Sequence, residues 1–200
     1  MTRQGLGLIR RASSSPDAGR RCLLGGALAA TALVALAPLP RRAAAAAGKV
    51  DARLAELGVT LPKVPPPVAN YVPYTVADGL AYGAGQLAFK DGELMHPGKV
   101  PTDVSVEQAQ EAARQCAINL IAAVKAACDG DLDRVQRCLR IQGFVASADD
   151  FTGQSKVMNG ASDFLVEVFG DAGRHTRLAL GTNTLPLNAC VEISGIFAIS

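Results

Sequence analysis

Two isolated charges in an apolar C-terminal stretch have the residue types and spacing to do chemistry: Arg177 in H-T-R-L-A-L-G and Glu192 in N-A-C-V-E-I-S-G-I-F-A-I-S. A planar guanidinium grips a carboxylate through two parallel hydrogen bonds, and a carboxylate in a partly dry cleft can act as a base. Each charge sits in a predicted strand. Alternation sets Leu178 and Leu180 on one face with Arg177 on the other, and Val191, Ile193, Phe197 and Ile199 on one face with Glu192 on the other. Both charges are thus expected to point away from the core. The intervening N-T-L-P-L-N is turn-like, and a hairpin centred near Thr184 and Leu185 would bring the two groups together. The plainer account is a cross-strand ion pair, worth only about 0–1 kcal/mol when exposed.

The elements that must position this pair follow from periodicity. Asp51 to Gly58 reads as a short helix closed by glycine, and L-P-K-V-P-P-P from Leu61 to Pro67 as an extended arm, so the globular part is expected from Val68. Strands are predicted over 71–77 and 80–87 across the Asp78-Gly79 turn, with a further turn at Lys90–Glu93. Ser105 with Gln108 forms a capping box for a helix whose apolar set is Ala109, Ala113, Cys116, Leu120 and Val124, ending near Asp129-Gly130. A strand over 134–147, a helix from Asp150 or Phe151 to Phe169, and two C-terminal strands complete the chain. The order ββαβαββ predicts an α+β domain, a single mixed sheet with two helices on one face. Its other face is too apolar to stand in water, so association is expected.

Other reactive side chains compete for attention. His175 lies two residues before Arg177 and faces the same side, yet by itself it reads as a solvated histidine at a strand start; His96 beside Pro97 reads the same way. Asn159 fits either a site or a helix asparagine that satisfies nearby backbone. Arg134, Arg137 and Arg140 on a strand divide between faces and read as surface charge. Cys116, Cys128, Cys138 and Cys190 show no C-x-x-C and no histidine at ligand spacing, which argues against zinc and leaves buried small hydrophobes.

Residues 1–50 have a different composition. They hold eight Lys and Arg against one acid, Asp17, with a Ser13–Ser15 run and an apolar segment from Cys22 to Ala37. This is the pattern of a cleaved targeting leader, directed to a chloroplast (thylakoid lumen included) or a mitochondrion; Arg20-Arg21 equally fits a bacterial twin-arginine export signal. From Asp51 onward 12 Lys and Arg face 17 Asp and Glu, a net of −5, whereas the whole chain is +2. An acidic domain without a basic stripe is poorly made to bind nucleic acid, and no membrane contact is expected once the leader is removed.

From about Leu54 to Ser200 the chain resembles the Rid family, also called the YjgF/YER057c/UK114 family. The resemblance rests on Thr176-Arg177-Leu178, Leu185-Pro186 and V-E-I-S-G-I-F-A from Val191 to Ala198. It extends to Asn70-Tyr71, Ala84-Gly85-Gln86, Leu132-Asp133-Arg134-Val135, Phe144, Asp150-Phe151, Asn159 and Phe169. It implies the chorismate-mutase-like fold, a homotrimer with sites between subunits, and hydrolytic deamination of 2-enamino or 2-imino acids such as 2-aminoacrylate, without metal or organic cofactor. In that reading Arg177 holds the substrate carboxylate and Glu192 activates water. Tyr71 closes the cleft, Ala84 and Gly85 offer backbone, and Asn159 lines the site. Ala84 and Leu178 stand where the family has small hydroxyl residues, and the flank before the first long helix suits a divergent, longer branch. These departures keep a non-catalytic trimer that binds a metabolite or protein in the same cleft as the alternative.

Overall fold

The computed structural model describes residues 48–66 and 69–200. Residues 1–47, with every expectation drawn on them, lie outside the described residues, as do Pro67 and Val68. The first helix, α1 (Lys49–Glu56), begins two residues before its predicted start because Asp133 reaches back to cap it: the Lys49 and Val50 amides donate to its carboxylate at 2.8 and 2.9 Å. Leu54 is buried, Leu57, Val59 and Leu61 pack on the core, and Lys125 binds Asp51 at 2.7 Å. The packed part therefore starts at α1, well before the predicted position near Val68. Residues 61–66 hold no regular structure, as prolines without amide donors require.

Strands β1 (Tyr74–Ala77) and β2 (Leu80–Leu87) form the predicted hairpin, with Asp78 and Gly79 both at positive φ. A small hairpin follows, β3 (Phe89–Lys90) with β4 (Glu93–Leu94). Helix α2 (Val106–Ala127) carries the complete capping box of Ser105 and Gln108, and its small-residue face lies buried on the sheet. Strand β5 (Val135–Ala146) leads to α3 (Gln154–Phe169), which begins later than predicted because Phe151 is held in a turn by Ala148 and folds over Gly153. Strands β6 (Thr176–Thr182) and β7 (Val191–Ile199) end the chain.

The sheet order is β1-β2-β7-β5-β6. Helices α2 and α3 cover one face, pressed together where Gly160 leaves room for the Gln110 carbonyl. This is the predicted mixed α+β fold, but the predicted β6–β7 hairpin does not form. β6 pairs parallel with β5 after the α3 crossover, and β7 enters on the other side of β5, antiparallel to both β5 and β2. The physical reason is burial: Val191, Ile193, Phe197 and Ile199 are buried and the residues between them half-buried, which suits a central strand, whereas T-R-L-A-L-G-T suits an edge. The chain turns from one to the other through Pro186–Asn188, with Leu187 and Asn188 at positive φ.

The uncovered face carries Tyr82, Phe144, Leu178, Leu180 and Ile196 among polar groups, with Leu180 45% exposed. Two register irregularities in β5 put Arg137 opposite Ala198 and Arg140 opposite Ile196, so both share this face rather than dividing between faces. Arg134 is not in the strand at all; it sits in a short helical turn, bound to Asp129 at 2.7 Å.

Candidate active site

Glu192 lies on the uncovered face near the start of β7, between Leu87 of β2 and Phe144 of β5. β2 bulges there, at Ala84 and Gly85, and a Cβ on Gly85 would run into the Glu192 carboxylate. Glycine at this position is what lets the carboxylate lie against the strand. Glu192 is half-buried, and burial pushes its carboxyl above the usual range; among the described residues no cation or donor pairs with it. A carboxylate so placed is a better base than an exposed one. The Ala84 amide donates to Pro73 at 3.0 Å, so of the two expected backbone contributors Ala84 has its donor engaged.

Arg177 stands elsewhere. Its register opposite Ile141 puts it on the helix-covered side of β6, with Ala179 and Gly181. The expectation that it points away from the core is corrected: its Nη1 donates to Asn159 Oδ1 and Ser162 Oγ of α3, each at 3.0 Å. Arg177 and Glu192 thus occupy opposite faces of the sheet with β5 between their strands, and one protomer does not bring them together. Asn159 serves the arginine rather than local backbone.

Tyr71 is 55% exposed in a bend before β1, outside its predicted strand, and no hydrogen bond joins it to Arg177 or Glu192. His175 faces the same side as Arg177 but is not a solvated ring. It is half-buried, with Nδ1 2.6 Å from the Gly173 carbonyl and Nε2 3.1 Å from Ser162 Oγ. Burial pushes its pKa down, the Arg177 charge adds to this, and the Gly173 carbonyl opposes it. His96 also has a partner, Glu111 at 3.2 Å. Ser162 was not foreseen, although it lies three residues after Asn159 on the same helix face, a spacing that could have flagged it.

The four cysteines of the described residues are buried and unpaired, as expected; burial pushes Cys138 up to about 12 and Cys190 up to about 11, so neither is a ready nucleophile.

The description "YjgF/chorismate mutase-like, putative endoribonuclease" belongs to the family model that matches residues 51–198. Protein TCP17 of Trypanosoma cruzi is 40% identical over 156 residues, covering 78% of this chain and 97% of its own. The crystal structure of Atu1372 from Agrobacterium tumefaciens shares 46% identity at a TM-score of 0.71, covering 76% of this chain and 93% of that one. A Shewanella oneidensis protein with the same endoribonuclease label shares 31% identity at 0.72, covering 75% of this chain and 99% of its own. With the match spanning the sheet, both long helices and the strands that bear Arg177 and Glu192, the chain belongs to the YjgF/chorismate mutase-like family.

Proposed function

We propose that the protein is a hydrolase of reactive 2-imino and 2-enamino acids, releasing ammonia and 2-keto acids, and that its site forms between copies of the chain in a homotrimer. The observation that carries this reading is the half-buried, unpaired Glu192 carboxylate over the Gly85 bulge, together with an arginine whose Nη1 is held by α3 while its Nε and Nη2 have no partner among the described residues. Because the two charges sit on opposite faces of one sheet, a cleft that uses both takes Arg177 from one copy and Glu192 from the next. The half-apolar uncovered face, with Tyr82, Phe144 and Leu180, is the surface such assembly would bury.

In that cleft the substrate carboxylate lies on the free edge of the Arg177 guanidinium. Glu192 takes a proton from water as the oxygen bonds to the imine carbon, and the C=N electron pair moves to nitrogen, which receives that proton. The hydroxyl proton of the resulting carbinolamine then passes to nitrogen through Glu192. The C–N bond breaks, ammonia leaves and the keto acid remains. An enamine enters the same route once a proton from solvent adds to its carbon and its nitrogen gives one up, which leaves the neutral imine.

The endoribonuclease label borne by relatives finds little support in a domain of net −5 from Asp51 onward. The deaminase reading is tested with a cysteine or threonine dehydratase generating the imine in the presence of the full chain. Faster keto-acid and ammonia formation by wild type, lost in Arg177→Ala, is the expected result. Absence of acceleration would overturn the reading and leave a non-catalytic trimer that binds a small carboxylate in the same cleft.

A further inference from the structure

Behind Arg177 runs a chain of hydrogen bonds whose directions are all fixed once the His175 ring is neutral. The Gly173 carbonyl can only accept, so at 2.6 Å the His175 Nδ1 must carry a hydrogen. The other nitrogen of a neutral ring, Nε2, then presents a lone pair, and the Ser162 hydroxyl, 3.1 Å away, donates to it. With its hydrogen committed, the Ser162 oxygen turns its lone pairs to Arg177 Nη1 at 3.0 Å, beside the Asn159 amide oxygen. An imidazolium would reverse the link between His175 Nε2 and Ser162, leave the hydroxyl hydrogen without that acceptor, and set two cations about one oxygen.

We infer that His175 is a positioning residue for Arg177: acting through Ser162, the neutral Nδ1–H ring orients the guanidinium toward an incoming substrate carboxylate. This rests on the proposed role of Arg177 as the carboxylate anchor. The surroundings favour the neutral ring. Burial and the Arg177 charge both disfavour a proton on Nε2. The charged neighbours in sequence, Asp171 and Arg174, pair with each other at 3.1 Å in solvent, and Asp163 beside Ser162 is exposed. The serine has a steering part that asparagine alone lacks, because two acceptors on one Nη1 fix its plane whereas one leaves a rotation free.

The test reads geometry and chemistry separately. In ¹⁵N NMR of the ligand-free full chain at neutral pH, His175 should show the Nδ1–H tautomer, and the Arg177 side-chain N–H signals should be sharp and slowly exchanging. Ser162→Ala and His175→Ala should each broaden those signals and weaken binding of pyruvate, a non-reactive 2-oxo acid, roughly 5- to 10-fold. The double variant should bind no more weakly than Ser162→Ala alone, because the histidine acts only through the serine. Ser162→Thr, which keeps the hydroxyl, should restore both readouts and exclude a general loss of fold. An Nε2–H tautomer or an imidazolium would overturn the inference, and so would losses that multiply in the double variant. Ordered Arg177 signals with this coupling but no imine hydrolysis would sustain the positioning role and overturn the deaminase reading alone.

Discussion

The chemistry of individual residues here is set by what each one is denied. Glu192 is denied part of its hydration and, among the described residues, a counter-charge; the burial raises its proton affinity and suits it to take a proton from water. Glu192→Gln is expected to lower turnover roughly 10²- to 10⁴-fold while leaving pyruvate affinity within about twofold. Its stability effect has a definite sign. A carboxyl whose folded pKa is raised stabilises most when protonated, and that contribution fades as pH rises through the raised value. The variant should therefore melt at or above the wild-type temperature near pH 7 and lose this advantage below about pH 4, the ordinary glutamate range. A lower melting temperature for the variant at pH 7 would contradict the burial argument. Gly85→Ala acts on the same carboxylate by sterics: its methyl group displaces Glu192, so turnover should fall as in Glu192→Gln with the fold retained. The coupled assay and circular dichroism together check this.

At the scale of elements, α1 is held by a partner distant in sequence. Its N-cap residue, Gly48, has no side chain to offer, and the absence of one leaves space for Asp133 to satisfy two amides. Those bonds, led by that from Val50, hold the Asp133 carboxyl below its ordinary range. Their contribution is therefore present above the ordinary aspartate pKa and is lost as pH falls through the lowered one. Asp133→Ala should cost about 1 kcal/mol, or a fall of about 2–4 °C in melting temperature, and hydrogen exchange should rise over Lys49–Glu56. Unchanged exchange there would mean that Leu54 packing and the Lys125–Asp51 pair dock the helix without Asp133. A stronger effect is expected at the α2–α3 crossing, where Gly160→Ala drives a methyl group into the Gln110 backbone; rigid helices yield little there, so melting should fall well beyond the effect of Asp133→Ala.

The whole molecule adds the question of which copy supplies what. If Arg177 and Glu192 meet only across an interface, Arg177→Ala and Glu192→Gln chains are each inactive alone, but mixed trimers recover some sites. At equal, random mixing about one interface in four joins an intact arginine to an intact glutamate, so about a quarter of wild-type activity should return. Two inactive chains that stay inactive after co-expression and verified mixing would place both charges in one protomer's site and overturn the shared cleft.

Periodicity, turn chemistry and capping by themselves determined most of the elements: the Asp78-Gly79 hairpin, the Ser105 and Gln108 box, the long α2 and the alternation along β7. These are local effects, decided within a few residues. The pairing of strands was not legible in the same way. A turn-like N-T-L-P-L-N is compatible with a hairpin or with a crossing loop, and only competition for the sheet centre, won by the more apolar β7, separates β6 from it. The face occupied by Arg177 followed from that pairing rather than from its own neighbours in sequence. So did the contacts of Ser162 and His175, because α3 comes to lie over β6 only once the crossover has closed. The sequence named the reactive residue types; the tertiary structure decided which of them meet, because side chains far apart along the chain are joined by packing that no local pattern encodes.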